Sequence, residues 1–184
     1  MSTIHKKSRS RLELKKLYFF TATINNWNYL LLETRFKQNI VESLSYLKKK
    51  NKIKVYGFVI MPNHVHIIWY IIEKNGKELP STSFLKFTAK CFLKHLRTNN
   101  PELLKHFETV NKNKSHLFWQ SNSYSFELKK RETAIQKLNY IHNNPISKHW
   151  KLVKNAEEYY FSSAQFYMTG RNNFDLLEHL YEIL

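Results

Sequence analysis

The chain has 184 residues and a formal net charge of +16, and 42% of its residues are hydrophobic and 15% aromatic. These values predict one folded domain with a buried core, and they exclude a chain that is disordered throughout. No apolar run approaches the roughly 18 residues of a membrane span, the N-terminus lacks an apolar secretory signal, and Cys91 is the only cysteine, so we expect a cytoplasmic protein without an internal disulfide.

The first part of the chain is predicted to contain a basic arm, a strand, a helix and a β-hairpin. The arm covers residues 1–15. A run rich in aromatic and β-branched residues predicts a strand at 16–24, and apolar residues at helical spacing predict a helix at 33–50. Two further apolar runs, 53–61 and 64–72, are separated by a Pro-Asn turn and predict the hairpin.

The next part is predicted to add helices and one more strand. Helical periodicity extends over 81–97 and, more briefly, over 102–110. The aromatic stretch 115–128 predicts a strand, and a helix is predicted at 131–143. This helix ends where Pro145 disfavours helical geometry at the residue before it.

Apolar residues recur at helical spacing near the end of the chain, so we predict a C-terminal helical extension over 168–184, with an amphipathic helix from 174. The order strand–helix–strand–strand–helix–strand favours an α+β fold. We expect an antiparallel sheet with helices on one face, in a sandwich of the ferredoxin or RRM-like type, whose other face is free for ligand. No repeat or linker divides the chain, so 1–184 is predicted to form a single domain.

The charge predicts a polyanionic partner. Lys and Arg number 30 against 14 Asp and Glu, and nucleic acid is the commonest partner of such a surface. A basic protein without such a partner is the alternative, and each single charge could simply be solvated. The candidate DNA contacts are basic residues of the arm and of two predicted helices: Lys6, Lys7, Arg9, Arg11, Lys48, Lys49, Lys50, Lys90, Lys94 and Arg97.

A pair of histidines opens the second strand of the hairpin, in the stretch "MPNHVHIIW". Alternate residues of a strand share a face, so His64 and His66 point the same way and could offer two nitrogens to one metal ion. Such a pair suits Zn, Mn, Ni or Co, and Mg or Mn where phosphate oxygens complete the shell. Taken alone the pair is weak evidence among nine histidines, and a structural role is the alternative.

One count disfavours a different metal chemistry. Asp175 is the only aspartate of the chain. Nucleases that hold two metal ions with several carboxylates, Asp usually among them, are therefore poor candidates, and histidines are the better metal ligands here.

Four motifs resemble one family in the same order along the chain. The stretch "MPNHVHIIW" resembles the histidine–hydrophobe–histidine (HUH) motif of the single-tyrosine transposases, and "YIHNNPISKHW" (140–150) resembles the second signature of their REP-associated tyrosine transposase branch. "FWQ" (118–120) and "YYFSSAQFY" (159–167) also resemble that branch. One departure is "PISKHW", which replaces a small, glycine-containing stretch common in relatives and could alter substrate contacts.

The resemblance implies an HUH endonuclease fold and a specific activity. Members of the family cut single-stranded DNA beside a hairpin and rejoin it, through a tyrosine joined covalently to the 5′ phosphate. Carried onto this chain, the family pattern implies Tyr140 as nucleophile and His64, His66 and Asn144 as ligands of a divalent ion, Mg²⁺ or Mn²⁺. The implied partner is hairpin-containing, REP-like single-stranded DNA in the bacterial nucleoid, bound by a monomer or a homodimer.

Helical spacing supports the choice of Tyr140 separately from the resemblance. In the predicted helix, Tyr140 lies nearly opposite the apolar stripe, and Asn144 shares its face one turn later. The stripe consists of Ala134, Ile135, Leu138 and Ile141.

Other residues near these motifs have less certain roles. Tyr124 is a rival nucleophile and, like Trp119, could stack on an unpaired base, although core packing is the better prediction for Trp119. His142 could contact DNA or metal, or it could brace the helix end.

Three functions fit the sequence. The leading one is DNA nicking and strand transfer, in which a metal or base must activate the phenol, whose ordinary pKa is near 10. The second is a non-catalytic, domesticated protein that binds single-stranded nucleic acid. The third is a histidine–metal phosphodiesterase that uses water. A covalent protein–DNA adduct would distinguish the first from the other two.

Overall fold

The structure, a computed structural model, describes residues 12–110 and 115–184. The arm candidates Lys6, Lys7, Arg9 and Arg11 lie outside the described residues. The strands are β1 (Lys16–Thr23), β2 (Ile53–Ile60), β3 (His64–Ile71) and β4 (Tyr124–Glu127). The helices are α1 (Thr34–Lys49), α2 (Pro80–Asn99), α3 (Pro101–Lys105), α4 (Arg131–Asn143) and α5 (Ala164–Thr169). The strands form one antiparallel sheet in the order β2-β3-β1-β4, which confirms the α+β fold class.

One face of the sheet packs against α1 and α2. Because side chains alternate along a strand, Trp69 of β3 points away from the histidines and toward these helices. The ring of Phe84 on α2 lies 6.1 Å from that of Trp69 and 6.2 Å from that of Phe20 on β1. Large aromatic side chains dominate this layer, and all three of these residues are fully buried.

The helix α4 packs on the other face, so the helices lie on both faces of the sheet rather than on one. Its apolar stripe approaches β2 at Gly57. A Cβ at this glycine would lie 2.7 Å from Cδ1 of Leu138 and 3.1 Å from Cδ1 of Ile141. The missing side chain therefore lets α4 lie close to the sheet, on the face that carries the histidines, and the stripe supplies the apolar surface that holds it there.

Most predicted elements are confirmed, with shorter bounds in two places. The helix predicted at 102–110 is only the short α3, because residues 106–110 continue as turn and irregular backbone. The strand predicted within 115–128 is limited to β4. Trp119, in the same stretch, makes only an isolated bridge with Ile24.

The predicted C-terminal helix is wrong. After α5 ends at Thr169, the only helical residues up to 184 are Leu180–Glu182, which form one 3-10 turn. Asp175 has a positive φ of 49°, which is not helical geometry. The apolar residues are buried by pairing with the sheet edge instead: Leu177 forms a parallel bridge with Val55 of β2. Tertiary contacts thus override the helical spacing of the leucines.

The segment 159–163 protects the free edge of β2. The Ile60 amide donates to the Phe161 carbonyl, the Ser163 amide donates to the Phe58 carbonyl, and Val59 bridges Ser162. Covering an edge strand in this way satisfies its backbone groups. Across the described ranges, no helix has the length and apolar character needed to cross a membrane.

Candidate functional site

The two predicted histidine ligands lie side by side at the start of β3. Their ring centres are 4.7 Å apart. The amide of Asn63 is oriented by its Nδ2, which donates to the Trp27 carbonyl oxygen, so its Oδ1 faces Nδ1 of His64 at 2.7 Å. Nδ1 of His64 must therefore donate, and the lone pair lies on Nε2.

The second histidine is held from β1, by a hydroxyl that can either donate or accept. Oγ1 of Thr21 lies 2.7 Å from Nδ1 of His66. Neither Nε2 makes a hydrogen bond within the part of the chain that the structure describes. Orientation of a ligating histidine through its other nitrogen is the usual arrangement at metal sites. The Thr21 hydroxyl can accept from Nδ1 of His66, and in that tautomer both rings can bind through Nε2.

Burial keeps both imidazoles neutral. It lowers the pKa of His64 to about 4. It also lowers the pKa of His66 well below its usual value, and positive charge on His64 or Lys137 adds to that effect. Neutral imidazole is the form that binds metal, so both groups have the required protonation state at neutral pH.

Tyr140 lies against His66, the second residue of the histidine pair. Its ring centre is 5.4 Å from that of His66 and 6.2 Å from that of Phe19, and the side chain is 51% exposed. Nζ of Lys137 lies 5.6 Å from the centre of the Tyr140 ring. A phenol, a cation and two neutral imidazoles therefore meet at one partly open surface.

Asn144 follows α4 directly and is nearly buried. Its Nδ2 is buried without a hydrogen-bond partner in the described part of the chain. The two ends of an amide exchange by rotation about one bond, so this unsatisfied position could equally present the oxygen. No cluster of three or more His, Cys, Asp or Glu occurs within 12–110 and 115–184. A metal at the histidine pair would thus need amide or phosphate oxygens to complete its shell.

Comparisons with known proteins agree with the motifs. No protein-family model matches the chain. A REP-associated tyrosine transposase from Escherichia coli (strain K12) is 22% identical over 148 residues, which cover 79% of this chain and 74% of that protein. The solved structure of a REP-associated tyrosine transposase bound to a REP hairpin matches with a TM-score of 0.62 and 19% identity, over 95% of this chain and 93% of that chain.

The curated relative bears out the resemblance to the REP-associated tyrosine transposase branch. The resemblance predicted from the four motifs is confirmed. The structural match shows that the fold is shared, and the curated relative shows that the sequences are similar.

Tyr124, the rival nucleophile, lies on the histidine face but farther from the pair. Thr21 pairs with His66 on one side and with Tyr124 on the other. Paired residues of neighbouring strands point to the same face, so Tyr124 lies two strands from His66. The geometry thus favours Tyr140, whose ring is against His66.

The helix candidates for DNA contact lie away from the histidines. Lys94 and Arg97 belong to α2, which packs on the opposite face of the sheet, and Lys94 lines a surface depression with Arg35 and Glu42. DNA contacts by these lysine and arginine residues stay a prediction. Because they lie on the opposite face of the sheet, a phosphate bound at the histidine pair would not contact them.

His142 contacts residues of the fourth motif. Its Nε2 lies 2.8 Å from Oγ of Ser163, and its ring centre is 5.2 Å from that of Tyr167. Burial lowers its pKa to about 4. Ser163 is fully buried and bonded to the backbone of Phe58, so these contacts tie the end of α4 to β2.

Sequence reasoning missed the residues that orient the site. The sequence pattern indicates only a turn at Asn63 and only a strand at Thr21. Lys137 could have been found, because it lies three residues before Tyr140 and hence one turn away on the same helix face. Trp119, by contrast, is in the core as expected: it is 6% exposed, and its Nε1 donates to Oγ1 of Thr88.

Proposed function

We propose that the chain is a single-stranded DNA endonuclease and strand transferase that acts beside hairpins through a covalent 5′-phosphotyrosine intermediate. The observation that carries this proposal is the contact between the Tyr140 ring and His66, which lies side by side with His64. The relatives support it, since one is a REP-associated tyrosine transposase and another is such a transposase bound to a REP hairpin.

In the proposed reaction Tyr140 is the nucleophile. Its hydroxyl oxygen attacks the scissile phosphorus and loses its proton, the bond from phosphorus to the 3′ oxygen breaks, and that oxygen gains a proton. The 5′ phosphate is then an ester of the tyrosine. A 3′-hydroxyl of another strand can reverse the exchange, so rejoining needs no nucleotide cofactor.

The residues present fit a divalent ion. His64 and His66 would hold it through their Nε2 atoms and Asn144 through its amide oxygen, and Mg²⁺ or Mn²⁺ would also bind phosphate oxygens. When bound, the ion supplies a Lewis acid for a non-bridging phosphate oxygen. The orphaned Asn144 amide and the two directed Nδ1 atoms support this assignment.

The proposed site is complete within one chain. Tyr140 and His66 are in contact without a second copy, so we propose that the tyrosine helix serves its own subunit. This arrangement is compatible with a monomer or with a homodimer of two separate sites.

The decisive experiment is a search for the covalent adduct. Labelled single strands that carry a hairpin are incubated with the protein and Mg²⁺ or Mn²⁺, and the products are separated under denaturing conditions. We expect a denaturant-resistant adduct that is lost in Tyr140→Phe and kept in Tyr124→Phe. Binding without cleavage would contradict the proposal and support a non-catalytic protein that binds single-stranded nucleic acid. Cleavage without an adduct would contradict it and support a phosphodiesterase that uses water.

A further inference from the structure

Three aromatic residues lie beside the histidine pair, two joined to it through their rings and one through its backbone carbonyl. The aromatic ledge consists of Trp27, Tyr29 and Trp150. Trp27 is 61% exposed and Tyr29 is 51% exposed. Folding normally places such large rings in the core, so two exposed rings near a candidate site need a reason other than packing.

The ledge is continuous with the histidine pair. The ring centre of Trp150 lies 5.9 Å from that of His64 and 5.9 Å from that of Tyr29, which meets it edge-on. Trp27 is joined through the backbone, because its carbonyl accepts from Nδ2 of Asn63, the residue whose Oδ1 orients His64. A strand whose phosphate lay at His64 would therefore have the ledge within reach of its neighbouring nucleotides.

The backbone presents Trp27 at an energetic cost. Asn26 has φ 54° and ψ 25°, and Trp27 itself has φ 57°. Left-handed geometry is uncommon for residues other than glycine, especially for a bulky one, and it persists where surrounding contacts enforce it. Here the residue held in left-handed geometry carries an exposed indole.

The charge around the ledge fits a nucleic-acid strand. Lys148 and Lys151 are exposed and flank Trp150 in the chain, and the protein as a whole carries +16. Tyr29 also lines an open depression of about 380 Å³ together with Asn28, Leu32 and Glu33. Phosphates would meet cations here, while bases would meet rings and a concave surface.

We propose that the aromatic ledge is a stacking site for the unpaired nucleotides next to the phosphate that lies at the histidine pair. The position of the ledge relative to the cut rests on the proposed function, but stacking itself requires no cleavage. The site differs from the two stacking residues expected from the sequence: Trp119 is buried, and Tyr124 lies on β4, which the ledge does not include.

The test measures binding apart from cleavage. In a Tyr140→Phe background, fluorescence anisotropy compares a blunt DNA hairpin with the same hairpin carrying single-stranded flanks of about eight nucleotides, a length within the site sizes of single-strand binders. We expect Trp27→Ala and Tyr29→Ala each to weaken binding of the flanked hairpin by about 5- to 100-fold, as one lost base stack predicts. Binding of the blunt hairpin is expected to stay unchanged.

Two controls separate stacking from folding. Trp27→Phe keeps a ring and is expected to retain most of the affinity. Tyr46→Ala removes a tyrosine of matching exposure, 52%, from α1 on the opposite side of the sheet, and is expected to bind as the parent does. A 2-aminopurine placed in the flank should be quenched by the parent and not by Trp27→Ala, which would locate the stacked base.

The outcomes also separate this proposal from the proposed function. If the ledge variants bind the flanked hairpin as the parent does, or lose affinity equally for the blunt one, the stacking site is rejected even where the wild type forms the covalent adduct. In the opposite case the wild type forms no adduct while Trp27→Ala still loses affinity for the flanked hairpin alone. That result would reject the proposed enzymatic function and support the stacking site.

Discussion

The ammonium of Lys137 lies 5.6 Å from the centre of the Tyr140 ring and 5.1 Å from that of Phe19. Lys137 and Tyr140 are one turn apart on α4, while Phe19 is on the strand beside the histidines. Within the described ranges Lys137 forms no ion pair with a carboxylate. Its charge is therefore available to a phosphate or to the negative charge that develops on an attacking phenol.

We predict that Lys137→Gln slows adduct formation by about 10- to 100-fold, whereas Lys137→Arg retains most of the rate, because the effect depends on a positive charge that stabilises the transition state. Single-turnover assays at saturating DNA measure this step separately from binding. Lys105→Gln, which removes an exposed lysine paired with Glu102 on α3, serves as the control. An unchanged rate in Lys137→Gln would remove this lysine from the proposed mechanism.

A second prediction concerns Asn144. If its amide oxygen binds the ion, Asn144→Ala should raise the Mn²⁺ concentration required for half-maximal adduct formation by about 10- to 100-fold, in the range of losses seen around metal sites. The free energy of unfolding should change little, because the variant also removes a buried amide nitrogen that lacks a partner. Mn²⁺ titrations of adduct formation and urea denaturation in the presence of a chelator measure the two effects.

The neighbouring residue offers a matched control for this variant. Asn143 is exposed at the end of α4, so Asn143→Ala should leave the Mn²⁺ requirement as in the wild type. Equal shifts in the two variants would mean that the helix end, rather than the Asn144 amide, sets the requirement.

The sequence predicts those parts of the fold and site in which local pattern and tertiary structure agree. The bounds of α4 could be predicted because Pro145 ends a clear apolar stripe, and the same stripe leaves Tyr140 exposed. The common face of His64 and His66 follows from strand alternation alone. The resemblance to the transposase branch then implies that these residues form one site.

Other features depend on contacts that no local pattern contains. The leucines of the final segment have helical spacing, but Leu177 pairs with Val55 across the sheet edge instead. Gly57 lies in an ordinary strand pattern, and only the packing of α4 gives its missing side chain a role. The exposure of Trp27 results from two consecutive left-handed residues, which a sequence of non-glycine residues does not predict.

A third prediction concerns the link between α4 and the edge of β2. His142 and Ser163 are 2.8 Å apart, and Ser163 also accepts a hydrogen bond from the Phe58 amide. We predict that Ser163→Ala lowers the free energy of unfolding by about 1–3 kcal/mol, because buried polar partners are left unsatisfied. In a double-mutant cycle with His142→Ala the coupling energy should be about 0.5–3 kcal/mol.

The same link should position the tyrosine helix. His142→Ala is expected to slow adduct formation several-fold at a temperature at which the variant is fully folded, and His142→Gln, whose amide can still hydrogen-bond to Ser163, is expected to restore part of the rate. A purely structural role would lower stability and leave the single-turnover rate of the folded protein unchanged.

The last prediction concerns alkaline pH and the segment that covers β2. Tyr159 is 8% exposed, its hydroxyl donates to the Ile60 carbonyl at 2.9 Å, and burial raises its pKa to about 12. A raised pKa in the folded state means that the neutral phenol is favoured by folding. The corresponding stability is fully present below the unfolded pKa of about 10 and is lost as the pH rises from about 10 to about 12.

We therefore predict opposite effects of Tyr159→Phe at two pH values. At pH 8 the variant should be about 1 kcal/mol less stable than the wild type, because the Ile60 carbonyl loses its donor. Between about pH 10 and 12 the wild type should lose about 2–3 kcal/mol more than the variant, since a shift of two pKa units corresponds to that free energy. Tyr46→Phe, at an exposed position, should follow the wild type throughout. Urea denaturation at a series of pH values measures these differences, and parallel curves for wild type and Tyr159→Phe would show that the phenol is not protected by the segment over β2.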